Sequence, residues 1–115
     1  MPVSERTVGG VTILDASGSL TVGPDADRLR DKVRSLLQQG RKSLLLNLAH
    51  VSYMDSAGLG ELVSAYTTTA RQGGTLKLMG ATKRLNDLLV ITKLATVFES
   101  FDSEAAALAS FSSSV

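Results

Sequence analysis

The sequence contains no cysteine. Disulfides, thiolate nucleophiles and Cys-ligated metals are therefore excluded. Histidine is almost absent: His50 is the only one. A His-rich metal site cannot be assembled from it, and a Ser-His-Asp triad would have to recruit it. No apolar run approaches the roughly 20 residues of a membrane-spanning helix. The opening stretch, MPVSERTVGG, has two charges and no apolar centre, so it does not read as a signal peptide. An excess of one charge is missing too. Twelve basic and 11 acidic side chains leave a formal net charge of +1, which gives no electrostatic footprint for nucleic acid or anionic lipid. The expectations are a cytoplasmic protein with no nucleic-acid partner and no membrane partner.

What is present is a chain of 115 residues, enough for one domain around one core. Residues 3–20 read as two short strands joined by Gly9-Gly10, the second covered on both faces from Val11 to Leu14. Residues 23–40 form a helix opened by Pro24 and Asp25. Leu29, Val33, Leu36 and Leu37 make its apolar stripe, and Gly40 suits its C-terminal cap. SLLLNLAHV (43–51) is too short and too continuous for an amphipathic helix and reads as a central strand. A helix follows, with Leu59, Leu62, Val63 and Tyr66 at helical spacing, stopped by Gly73-Gly74. TLKLMG (75–80) is a strand. Residues 82–94 are a helix capped by Thr82, with Leu85, Leu88 and Leu89 inward. TVFESF (96–101) is a last strand, SEAAALASF (103–111) a closing helix, and residues 112–115 a fraying tail. The order β-β-α-β-α-β-α-β-α predicts a single α/β domain over 1–115. Its sheet has four or five strands, mixed but mostly parallel, with about four flanking helices and the first strand antiparallel at an edge.

The stretch YMDSAGLG (53–60) lies where an open α/β sheet places its sites, beyond the carboxyl end of the central strand and at the mouth of the next helix. Backbone N–H groups near residues 57–59 are expected there, aimed outward from the positive end of the helix dipole. Asp55 or Ser56 serves as N-cap. A cap needs neither Gly58 nor Gly60, and each glycine costs a helix interior about 1 kcal/mol. Close approach of another molecule is the use that would justify them. Tyr53, Met54 and Leu59 belong either to a contact surface or to the core.

Several chemistries fail on spacing. A P-loop needs GxxxxGK[ST], and GLGELVS offers no lysine; GxGxxG fails at Val63. A nucleophile elbow needs GxSxG, but Met54 and Gly58 flank Ser56. His50 lies six residues before Ser56 and reads as an exposed strand-end histidine rather than a base. A phosphorylated receiver domain needs an acidic pair ending its first strand, where DASG (15–18) has one isolated acid.

VSYMDSAGLGELVSAY (51–66) closely resembles the signature of anti-sigma factor antagonists, the stand-alone STAS domains of bacteria. ILDASGSL resembles the family's second strand ending in Gly-x-Leu, and GGTLKLMGATKRLNDLLVITKLATVFESF follows its closing half. The resemblance implies phosphorylation at Ser56 by a cognate anti-sigma factor with a histidine-kinase-like ATPase and serine kinase fold. It implies binding while Ser56 is unmodified, release on phosphorylation, and reversal by a PP2C-type phosphatase. It assigns partner contact to Asp55, Ser56, Ala57, Gly58, Leu59, Gly60 and Thr21, with no enzymatic activity, no metal and no cofactor. Two positions depart from the family pattern. Ala57 replaces a second hydroxyl residue found in many relatives, leaving Ser56 as the only acceptor in the motif, and Thr21 stands where relatives often have aspartate. An alternative use of the fold is a regulatory subunit of an ABC-type lipid transporter, binding its ATPase without phosphorylation. An enzyme using Ser56 as nucleophile is a third reading, and no base is placed for it.

Overall fold

The computed structural model describes residues 3–21 and 24–112. Its elements are β1 (Val3–Val8), β2 (Val11–Leu20), α1 (Pro24–Gln38), β3 (Ser43–Met54), α2 (Ser56–Arg71), β4 (Thr75–Met79), α3 (Lys83–Ile91), β5 (Ser100–Phe101) and α4 (Glu104–Ser112), with a 3-10 turn at Leu94–Thr96. The five strands lie side by side in chain order. β1 is antiparallel to β2, and every later pairing is parallel. This is the mixed, mostly parallel α/β sheet that the alternation of elements predicts. The tail beyond residue 112 lies outside the described residues.

The β1–β2 hairpin closes through Gly9 and Gly10, with φ of 55° and 82°. Two consecutive positive φ values define the turn whose twist matches the flanking strands, and glycine adopts them without steric cost. β3 lies between β2 and β4 and is buried on both sides where the sequence is most continuously apolar. Leu44 and Leu46 join the larger core beneath α1, α2 and α3, and Leu45 joins a smaller one beneath α4. Neighbours in a strand point to opposite faces, so an unbroken Leu-Leu-Leu requires cover on both. In α1, Leu29, Val33, Leu36 and Leu37 are all buried against this sheet. In α3, Leu85 and Leu89 are buried and Leu88 is half-buried. Thr82 caps α3, its Oγ1 accepting from the Leu85 N–H at 3.3 Å.

The chain departs from expectation at two places. Residues 96–101 do not form one strand. The N–H groups of Val97 and Phe98 both donate to the Leu94 carbonyl, at 2.9 and 3.3 Å, so the backbone is still turning there. Only Ser100 and Phe101 pair with β4, and Phe98 is buried by the turn rather than by a sheet position. The helix expected over 82–94 ends at Ile91. Lys93 adopts a left-handed conformation (φ 64°), the one positive φ outside glycine among the described residues, and this reverses the chain.

Candidate functional site

β3 delivers its last residue, Met54, to the mouth of α2, and Asp55 makes the junction. Asp55 has extended backbone angles, and its Oδ1 accepts the Gly58 N–H at 2.8 Å. Its carbonyl accepts the Leu59 N–H at 2.9 Å, the first intrahelical bond of α2. Two of the N–H groups expected to point outward near residues 57–59 are therefore satisfied by Asp55. The cap is Asp55, not Ser56. This division of labour leaves Ser56, the first residue of α2, exposed, with no side-chain hydrogen bond to another described residue.

The end of β2 supports the junction. Leu20 is fully buried, and its carbonyl accepts the Asp55 N–H at 3.3 Å. Gly58 is buried against the same backbone. A Cβ built on it would lie 2.8 Å from the Leu20 carbonyl carbon and closer still to the oxygen. The close approach that Gly58 permits is that of this chain's own β2. Gly60 is different: it is exposed, and a Cβ there would meet nothing within 4 Å.

Thr21, half-buried, follows Leu20 directly and so joins the end of the motif in space. Ala57 is half-buried, while Met54 and Leu59 are buried in the larger core. Tyr53 is 48% exposed. The alternatives left open by the sequence thus divide, with Met54 and Leu59 inside and Tyr53 outside. Of the seven positions singled out, the structure gathers all around the β2 end and the α2 start. Ser56 and Gly60 form its exposed part.

His50 is not at a strand end, since β3 continues to Met54. It is exposed and lines a groove of about 770 Å³ with Asp15, Ser17, Arg28, Asp31 and Lys32, among others. Ser56 is not among the residues lining that groove. Beside that groove, Arg6 bridges two acids, with Nε 2.6 Å from Asp15 and Nη2 2.8 Å from Glu104. The Arg6 guanidinium holds the Asp15 carboxyl below its ordinary value, assisted by a hydrogen bond from Asn47 Nδ2 at 2.8 Å. Among the described residues, no helix is long and apolar enough to cross a membrane.

One exposed feature escaped the sequence reading. Val90 and Ile91, at the end of α3, are 64% and 77% exposed. The signal was present: both fall off the face set by Leu85 and Leu89, so their apolar side chains had no core to enter.

The molecule is thus a hairpin-edged mixed α/β sheet with helices on both faces, and it carries a small hydroxyl residue, Ser56, exposed at the start of the helix after its central strand. A family model described as STAS domain matches residues 3–107, and the chain belongs to that family. Over 71 residues it is 42% identical to the anti-sigma-B factor antagonist of Bacillus subtilis (strain 168). That match covers 62% of this chain and 64% of the Bacillus protein, just under two thirds of its length. Among solved structures, a candidate anti-sigma factor antagonist of Thermotoga maritima superposes with a TM-score of 0.86 at 23% identity, covering 94% of this chain and 92% of that one. The Bacillus cell fate determinant SpoIIAA in its phosphorylated form superposes with a TM-score of 0.75 at 17% identity, covering 96% and 99%. At these identities the two structures establish the shared fold.

Proposed function

We propose that this chain is an anti-sigma factor antagonist that binds an anti-sigma factor while Ser56 is unmodified and lets go once Ser56 is phosphorylated. The observation that carries the proposal is the separation of cap from acceptor. Asp55 holds the start of α2, so Ser56 is exposed and free of structural duty. The likeness to the antagonist of Bacillus subtilis supports the choice of partner.

The partner is an anti-sigma factor with a histidine-kinase-like ATPase fold, acting as the serine kinase. It transfers the γ-phosphoryl group of ATP to Ser56 Oγ, which gives up its proton, and ADP leaves. A PP2C-type phosphatase hydrolyses the ester and restores the alcohol. No catalytic group of this chain takes part.

The physics of release lies in where the new charge costs most. A phosphoryl group brings about −1.5 to −2 charges and three strong acceptor oxygens. In the free chain it sits at the positive end of α2, where the dipole contributes roughly 0.3–1 kcal/mol in its favour. Under a partner that has no cation facing it, desolvation costs several kcal/mol, and Asp55 adds like-charge repulsion. At 1.4 kcal/mol per decade, affinity falls by about a hundredfold or more. Gly60 fits the same reading, since its missing side chain leaves the α2 surface flat beside Ser56 and nothing among the described residues requires the space.

Incubation of the chain with ATP and each anti-sigma factor of this fold from the source genome, followed by mass spectrometry, tests the assignment. Phosphate on Ser56, lost in Ser56→Ala, is the expected result. Tight binding without labelling would instead favour the transporter-subunit use of the fold.

A further inference from the structure

Five large apolar side chains are conspicuously exposed among the described residues, and Tyr53, Val90 and Ile91 are three of them. Tyr53 and Ile91 line one groove of about 520 Å³ between the end of β3 and the face of α3, with Met54, Leu85 and Leu88. Arg84 and Asp87, both exposed, line it as well. Scattered apolar residues on a surface need no explanation, but an aromatic and an aliphatic side chain sharing one groove do. Its position also matters. Met54 and Tyr53 are two and three residues before Ser56, so the groove begins within one short segment of the exposed alcohol.

We propose that this groove is the anchor for the anti-sigma factor, holding an apolar side chain of that partner while Ser56 decides whether the complex survives. The proposal rests on the reading of Ser56 given above. Three arguments on the molecule select this occupant. A stable interface buries about 800 Å² on each partner. A few side chains around one short helix cannot supply that, so whatever sits here must spread over neighbouring surface, and Asp55–Ser56 adjoins the groove through Met54. An aromatic anchor beside aliphatic walls with a polar border of both signs is the anatomy of a protein–protein hot spot. An anionic membrane selects basic borders, whereas Arg84 is offset here by Asp87.

The anchor and the switch are then separable. Apolar burial at Ile91 does not depend on the charge of Ser56, so removing it weakens both phosphorylation states by the same factor. The ratio between the states, which Ser56 sets, is retained.

The test uses the full chain, the anti-sigma factor that captures it, and the variants Ile91→Asp and Ile91→Ser. Val90→Asp is the control, a neighbour that is also exposed but does not line the groove. Calorimetric titration is expected to give about tenfold to a hundredfold weaker binding for Ile91→Asp and a smaller loss for Ile91→Ser. Val90→Asp should remain near the parent. In the kinase assay KM should rise with kcat unchanged, and melting temperatures should stay at the parent value because Ile91 is exposed. Parent-like binding by Ile91→Asp, with Ser56 still labelled, would overturn the anchor and leave the switch standing. An equal loss in Val90→Asp would also overturn it, as would an Ile91-dependent dimer in sedimentation, which would give the groove to a second copy of this chain. If the parent is neither bound nor labelled by any such factor, the reading of Ser56 fails and the anchor with it.

Discussion

The carbonyl carbon of Leu20 lies 2.8 Å from where a Cβ on Gly58 would stand, so the end of β2 and the first turn of α2 touch backbone to backbone. This contact joins two segments 38 positions apart in sequence and sets the direction in which Ser56 leaves the sheet. Gly58→Ala forces a carbonyl or the helix to move. Overpacking of this kind costs about 1–3 kcal/mol. Thermal melts should show a clear drop for Gly58→Ala. At Gly60, where a Cβ meets nothing, alanine should leave the melting temperature unchanged or raise it by the helix propensity gained.

Asp55 has a structural role that can be separated from its charge. Asp55→Ala removes the acceptor of the Gly58 N–H and should destabilise the fold by about 1 kcal/mol. Asp55→Asn keeps an acceptor and should recover most of that loss in chemical denaturation. If phosphorylated Asp55→Asn releases its partner less completely than the phosphorylated parent, the carboxylate contributes repulsion as well as a cap.

The Arg6–Asp15 pair makes stability depend on pH through residues other than those of the switch. The Asp15 carboxyl is held below its ordinary value of 3.8, first by the hydrogen bond from Arg6. A carboxyl lowered by folding stabilises the native state fully above the ordinary value and loses that contribution as pH falls through the folded one. Asp15→Asn should therefore melt below the parent at neutral pH, and the gap should close in strongly acidic buffer. A gap of constant size would mean that packing, not charge, holds this corner.

Much of this architecture is legible in the residues. Leu44-Leu45-Leu46 requires cover on both faces, and Gly9-Gly10 requires a tight hairpin, so the central strand and the antiparallel edge follow directly. The last strand is mostly lost because Thr96-Val97-Phe98 has strand-like side chains but a backbone committed to Leu94; local preference yields to a tertiary turn. At the site, the sequence leaves Asp55 and Ser56 as equal candidates for the cap. Only the hydrogen bond from Gly58 separates them. The role of Gly58 is equally hidden, because its neighbour Leu20 is distant in sequence. The exposed end of α3 is legible in the helical spacing, since Val90 and Ile91 fall off the face that Leu85 and Leu89 bury.

The most direct test of the whole account is one pair of numbers on one protein: the dissociation constant for the anti-sigma factor before and after stoichiometric phosphorylation of Ser56, with the melting temperature of each form. The account predicts a rise in the dissociation constant of roughly a hundredfold or more at nearly equal melting temperatures. Equal affinity of the two forms, or loss of the fold on phosphorylation, would contradict it.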